Sequence, residues 1–475
     1  MIEHLPEELT AVLTGTPELG DAYLVGGCVR DWVLGVPNKD YDVEVFGLDL
    51  DRLASVLSRW GRTDLVGRAF GVVKLTTASG AIYDFTIPRR ESKVGAGHKG
   101  FVVTFDPTLQ PEEAAARRDY TINALSYDPR RRVVRDFFGG IQDLKNRVLR
   151  HTSGAFAEDP LRVLRGMQFA GRFNLTLAPE TIALCRQIKD AFPELAKERV
   201  REEWFKWAEK STVPSAGLRF LEATGWIEHF PEVNALRGVP QDPIWHPEGD
   251  VFTHTCHCCD AMARLPAWQQ SDPESKCTYM LATLAHDFAK PVTTHEAMRD
   301  GVLRIVSPGH EEQGGPFAES FLARINAPNA FIERVVPLVI HHLAHLQTPT
   351  DRSVRRLAKR LEPETIHGLI LVMTADHMGR PPKPAITPPT VLALQAMAEE
   401  LKLAQSAPKP ILLGRHLIES GLRPGTEFGE ILKEAFEAQL EGTYQNLDGA
   451  LQWLKQHLAG SKDRSSLPPS NHGAN

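Results

Sequence analysis

Gly26-Gly27-Cys28-Val29-Arg30-Asp31 is followed nine residues later by Asp40-Tyr41-Asp42. Two adjacent glycines let a backbone approach a phosphate closely, because no Cβ stands in the way. Tyr41, Val43, Val45 and Phe46 form an apolar run that reads as a strand. Residues i and i+2 of a strand share a face, so Asp40 and Asp42 project together, near where the glycine turn would hold a triphosphate. Paired carboxylates suit Mg²⁺, which takes oxygen ligands and bridges substrate phosphates. The pattern implies transfer of a nucleotide from a nucleoside triphosphate. Asp84, in a second strand, is the candidate third carboxylate.

Three further segments carry cations and acceptors. Arg117-Arg118-Asp119-Tyr120-Thr121-Ile122-Asn123 offers two guanidinium forks for phosphate or ribose oxygens, an amide at Asn123, and Asp119 as the cap of a helix start. In Glu158-Asp159-Pro160-Leu161-Arg162-Val163-Leu164-Arg165, Pro160 opens a helix capped by Asp159. Asp159 and Arg162, three apart, lie on one helix face and together offer acceptors and a donor fork to the edge of a base. Arg89 to Gly100 is basic and Gly-rich and reads as a mobile loop able to approach phosphates.

The Gly-Gly and Asp-x-Asp pair at this spacing resembles the nucleotidyltransferase motif of the DNA polymerase β superfamily, specifically the head of the tRNA nucleotidyltransferase/poly(A) polymerase family. The resemblance is dense from about 20 to 230, including Asp136-Phe137-Phe138-Gly139-Gly140, read as a junction between head and neck. It implies a two-metal transferase in which Asp40 and Asp42 hold Mg²⁺. It also implies nucleotide binding by Gly26, Gly27, Arg30, Arg117, Arg118, Asp119, Asn123, Asp159, Arg162, Arg165 and Arg199. Asp159 and Arg162 match the pair that reads C and A in class II tRNA nucleotidyltransferases, with Arg199 as their buttress. The Arg89 to Gly100 loop matches one associated with the switch from C to A addition.

The implied activity is template-independent addition of CCA to the tRNA 3′ end from CTP and ATP. The alternatives are a bacterial poly(A) polymerase, an enzyme adding only CC or only A, and, from another class, a phosphohydrolase whose head merely binds RNA.

A second constellation resembles the HD phosphohydrolase superfamily. It comprises His254, His286-Asp287, His310, His341-His342 and Asp376. A buried His-Asp pair without a partner would be costly. Imidazoles with carboxylates suit a divalent ion such as Mg²⁺, Mn²⁺ or Ni²⁺. The minimal ligand set is His254, His286, Asp287 and Asp376. Cys256, Cys258 and Cys259 lack paired zinc spacing and read as small apolar residues of a buried helix.

These groups need an α+β scaffold: a polymerase-β-like head of mixed sheet and helices, then an all-α body. Strands are expected at Tyr23–Val25, Val72–Leu75 and Ala81–Ile87, the last two joined at Ser79-Gly80. Helical periodicity follows through Leu161 to Phe173, Glu180 to Ile188 and Glu198 to Lys210. The expected divisions are a head over 1–150, a neck over 151–238, an HD domain over 239–380, a tRNA-contacting helical unit over 381–460, and a disordered tail over 461–475.

The 475 residues carry a net charge of -6, which argues against indiscriminate nucleic-acid binding but leaves room for local basic patches. No apolar stretch reaches the roughly 18 residues of a membrane span, and no signal-peptide pattern opens the chain. Six cysteines without framework spacing point to reduced thiols in a cytoplasm.

Overall fold

The computed structural model describes residues 5–37, 40–66, 71–93 and 101–465. Two compact units emerge, Met1–Asn234 with Ala323–Ala327, and Ala235–Leu322 with Pro328–Asn475.

The first unit begins with a seven-stranded sheet. Its order is Gly61–Val66, Val72–Thr77, Ile82–Thr86, Asp42–Val45, Ala22–Val25, Ser126–Asp128, Val133–Arg135. Asp42–Val45 and Ile82–Thr86 run parallel; the other neighbours are antiparallel. Val43 pairs with Phe85, and Phe85 with Val73, making an apolar row that is fully buried. Paired residues share a face and successive residues alternate. Asp42, Asp84 and Lys74, which pair in the next row, therefore stand on the opposite face. Burial of one face thus fixes where the acids point, because a slip of one residue would bury them.

Helix Leu161–Phe173 follows, packed on Lys197–Lys210 and Pro214–Thr224 over the fully buried Trp204, Trp207 and Phe220. Gly166 permits the closest approach: a Cβ there would overlap the Tyr120 hydroxyl and the Phe220 ring. Tyr120 in turn donates to Arg162 O at 2.9 Å, tying sheet-side residues to the helix.

The second unit is nearly all helical. Val251–Arg264, Pro273–Ala285 and Ile366–Met378 pack mutually, with Asn329–Ile340 against the second. A separate apolar cluster around Leu417, Ile431, Tyr444 and Leu454 organises the C-terminal helices.

Several expectations need correction. The Arg89 to Gly100 segment is not loop throughout: Arg89–Lys93 is a strand paired with Phe101–Phe105, and 94–100 lie outside the described residues. The β-branched and aromatic run Phe101-Val102-Val103 favours that pairing. Gly61–Val66 and the hairpin His295–Arg299/Val302–Val306 are strands that the sequence reading passed over. Their solvent-facing residues hide the apolar alternation. Helix Leu447–Ser465 runs five residues into the polar tail, carried by good helix formers such as Lys462 and Arg464; the rest of the tail lies outside the described residues.

Candidate active site and metal centre

In the first unit a cavity of about 680 Å³ opens between the sheet and helix Leu161–Phe173. Gly26, Gly27, Arg30, Asp42, Arg117, Arg118, Asp119, Asn123, Asp159, Arg162, Arg165 and Arg199 all line it. Asp84 pairs with Asp42 across the sheet and Asp40 lies just before the Asp42–Val45 strand; neither is among the residues lining the cavity. Burial, with the charges of Asp84 and Asp40, holds the Asp42 carboxyl above its ordinary value against the opposing pull of Arg118. Asp84 Oδ1 is buried without a hydrogen bond, and Lys74 Nζ stands 3.8 Å from it. Like charges forced together with an orphaned oxygen are a donor set that fits a hard divalent cation.

Gly26 has φ +72°, where an L side chain is strained, and its missing Cβ would sit 3.0 Å from Arg118 Nη1. Arg118 reaches Glu44 only at 3.5 Å, and Arg117 pairs with Glu158 at 2.7 Å. Arg30 is turned inward: it donates to Asp31 at 2.8 Å and to Asn123 at 2.6 Å, and lies 4.6 Å over the Phe173 ring.

The Arg117–Asn123 segment is not a helix start. Helix Pro111–Ala116 ends there and a 3₁₀ turn, Thr121–Asn123, follows. Asp119 therefore caps no α-helix; it accepts from the Tyr120 N–H, Asn123 Nδ2 and Arg165 Nε. Burial pushes its carboxyl up, but Arg165 and these hydrogen bonds outweigh that and hold it below its ordinary value. Asn123 is spent as the link between Arg30 and Asp119.

Asp159 Oδ1 accepts the Leu161 N–H at 3.1 Å, and its Oδ2 takes Arg199 Nη2 at 2.9 Å. Arg162 is buried, donating to Ala155 O at 2.6 Å and Arg117 O at 2.8 Å. Its fork is thus held by backbone carbonyls rather than open to the cavity. Arg172, Gln168, Phe169, Lys206 and Lys210 also line the cavity and escaped sequence reading. The signal was periodicity: 162, 165, 168/169 and 172, then 199, 206 and 210, fall on single helix faces.

In the second unit the imidazoles converge. Nδ1 of His286, His310 and His342 is hydrogen-bonded to the carbonyls of Thr283, Ser307 and Val339 at 2.7, 2.6 and 2.7 Å. A carbonyl can only accept, so Nδ1 of each carries a proton and Nε2 is the nitrogen turned to the cluster. His286 Nε2 lies 3.2 Å from Asp287 Oδ2 yet makes no hydrogen bond, and neither Asp287 oxygen makes one. His310 Nε2 is 3.3 Å from Asp287 Oδ1. His254 Nε2 meets Asp376 Oδ1 at 3.1 Å, while its Nδ1 meets Glu248 Oε1 at 2.7 Å. Imidazole nitrogens and carboxylate oxygens converging in a buried site are a donor set that fits a divalent metal.

Lys290 and Arg380 supply charge at 2.8 Å to Asp287 and 2.7 Å to Asp376. Burial opposes ionisation of both acids, but the surrounding cations hold them well below the ordinary range. Burial, then the neighbouring imidazoles, lower His342 to about 3. Sequence reading missed Glu248, Lys290, Arg380 and Cys258 here. Cys258 stands one helical turn from His254, a spacing that could have flagged it. His341 has no part in the cluster; it lines another cavity beside Arg360.

The sheet order and the acid pair define a nucleotidyltransferase head on a helical body. Residues 22–150 match the family described as "Poly A polymerase head domain". The chain is 37% identical over 370 residues to a Multifunctional CCA protein of Xanthomonas campestris pv. campestris, across 75% of this chain and 85% of that protein. A Multifunctional CCA protein of Methylococcus capsulatus is 37% identical over 372 residues, covering 76% and 82%. Among solved structures, the Bacillus stearothermophilus CCA-adding enzyme in complex with CTP aligns with a TM-score of 0.64 at 21% identity, over 97% of this chain and 100% of that one. The Thermotoga maritima CCA-adding enzyme complexed with tRNA aligns at 0.60 and 19%, over 96% and 97%. The chain belongs to the CCA-adding tRNA nucleotidyltransferase/poly(A) polymerase family. No helix among the described residues is long and apolar enough to cross a membrane.

Proposed function

We propose that this chain adds CCA to tRNA 3′ ends from CTP and ATP, in the cavity lined jointly by the Gly26-Gly27 turn, Asp42 and the Asp159–Arg165 end of the neck helix. That joint lining carries the reading: the Gly26-Gly27 backbone, Asp42, and the Asp159 and Arg162 side chains share one space. Asp40 and Asp42, with Asp84 beside them, would hold Mg²⁺, which when bound activates the RNA 3′-hydroxyl and stabilises charge on the α-phosphate. The rest is done by the chain. The bare Gly26 backbone leaves room for phosphate oxygens next to Arg118, whose weak hold on Glu44 leaves donors to give. Asp159, oriented by Arg199, accepts from the 4-amino group of C or the 6-amino group of A, and the carbonyl that U or G carries at that position leaves it unpaired. Arg162 donates to the base after releasing a carbonyl.

In this reading 1–150 is the catalytic head, 151–238 the base-reading neck, 239–380 the HD domain and 381–460 a tRNA-contacting unit. The HD cluster, where buried imidazole nitrogens and carboxylate oxygens converge, supports a second centre that hydrolyses phosphoesters with a divalent metal.

End-product analysis tests the main reading. A tRNA transcript ending at the discriminator base, Mg²⁺ and both nucleotides should gain three residues, and CTP alone two. Long A-tails without CTP use would sink it in favour of a poly(A) polymerase. The Asp40→Ala/Asp42→Ala protein should lose incorporation and keep any hydrolysis.

A further inference from the structure

We infer that Cys258 is a sulfur ligand of the metal centre formed with His254, His286 and Asp376, an inference that rests on that centre's being a metal site. Cys258 Sγ, one nitrogen of each imidazole and an Asp376 oxygen all lie within 4.8 Å of one another. Ligands of a tetrahedral ion at about 2.0–2.3 Å stand roughly 3.3–3.8 Å apart, so a modest closing of this set would bring its atoms into one shell. Sγ is 3.3 Å from His254 Nε2, the separation of two neighbouring ligands, about 3.6 Å for ideal tetrahedral zinc.

Two independent observations separate this cysteine from core filler. The buried His286 Nε2 has no hydrogen-bond partner, and its Nδ1 is committed to Thr283, so Nε2 is the nitrogen it offers to the same set. The approach of Cys258 to the Asp376 helix is enforced: a Cβ at Gly379 would collide with Sγ, and only glycine lets the sulfur rest beside the end of Ile366–Met378. Cys256 and Cys259, on the same helix, share in no such set among the described residues.

A thiolate is a soft ligand that favours zinc, cobalt or nickel over magnesium. Binding forms an S–metal bond and releases the thiol proton to solvent. The two centres of one chain would then draw on different metals, oxygen-only donors for Mg²⁺ in the head and a sulfur-bearing set for a transition metal in the second unit.

The test uses the full-length Asp40→Ala/Asp42→Ala protein, so that metal in the head does not interfere. It is loaded with Zn²⁺ and examined by X-ray absorption, then with Co²⁺ and examined for the near-ultraviolet sulfur-to-cobalt band. The expected result is one sulfur scatterer at about 2.3 Å, and a cobalt band that Cys258→Ser abolishes and Cys28→Ser leaves. Cys258→Ser should also weaken Zn²⁺ binding by at least about tenfold. Metal bound through nitrogen and oxygen alone overturns the role of Cys258 and leaves the centre standing. No bound metal overturns both. The absorption spectrum needs no variant at Cys258, so a misfolded Cys258→Ser protein would not shield the inference.

Discussion

Replacing Arg199 by Ala should damage nucleotide choice far more than stability. Arg199 and Asp159 are 29% and 25% exposed, and their 2.9 Å bond is a partly solvated pair. Such a pair contributes less than about 1 kcal/mol to folding, so Tm should fall by no more than about 4 °C for a unit of this size. Positioning is another matter. Beyond Arg199, the contact that holds the Asp159 carboxylate is the Leu161 N–H, on its other oxygen. Without the guanidinium, Oδ2 is free to rotate away from the base. A hydrogen bond to a charged group is worth about 1.5–3 kcal/mol, so kcat/KM for CTP should drop by roughly 10- to 150-fold.

The assay is single-nucleotide extension of tRNA with CTP and, separately, UTP. The ratio of the two efficiencies should collapse, because UTP never used the contact. Arg199→Lys keeps the charge without the planar fork and should fall between. An Arg199→Ala protein with CTP efficiency within threefold of wild type, or with equal losses for CTP and UTP, would refute the positioning argument. So would a loss that merely tracks a collapsed Tm.

Asp42→Asn should abolish incorporation while leaving Tm the same or higher, because it relieves the repulsion with Asp40 and Asp84; a Tm fall beyond a few degrees would mean the carboxylate is structural. Gly166→Ala should cost about 1–3 kcal/mol by overpacking against Tyr120 and Phe220, seen as an earlier denaturant midpoint with little change in slope. Asp119→Asn should cost about 2 kcal/mol, below the roughly 3–5 kcal/mol of a fully buried pair because Arg165 is 35% exposed. The folded-state pKa of Asp119 is depressed, so its contribution is complete above the unfolded value of about 3.9 and vanishes as pH falls through the folded value. The stability gap between wild type and Asp119→Asn should therefore be flat near neutrality and close only below about pH 4; a gap that narrows between pH 5 and 7 would contradict the pairing.

What was legible in the sequence is what local rules govern. Period two in Val72–Thr77 and period near 3.6 in Leu161–Phe173 come from one face being buried, so the strands and the neck helix could be read directly. The acid pair was legible only in part: alternation places Asp42, which opens strand Asp42–Val45, whereas Asp40 lies before that strand and its side is not set by it. The directions of the arginines were not legible. Arg30, Arg162 and Arg165 are alike expected to bind nucleotide, yet one is closed on Asn123 and Asp31, one on two carbonyls, and one on Asp119. Those partners lie up to 93 residues away in sequence, beyond any window of periodicity.

Cys258 failed for the opposite reason. Its local context, small residues on a buried helix, is a complete explanation until Asp376 and Gly379 arrive from another helix. The same long-range closure has a functional consequence in the head. Arg165 holds Asp119, Asp119 holds Asn123, and Asn123 holds Arg30 on the face of Phe173, so one chain of charge-assisted bonds joins helix Leu161–Phe173 to the turn beside the glycine pair. On the proposed reading, a base seated against Asp159 and Arg162 would press on the helix that this chain of bonds ties to Arg30. Base choice and phosphate placement would then be coupled through packing that tolerates little shift, and a wrong nucleotide should lose kcat as well as binding.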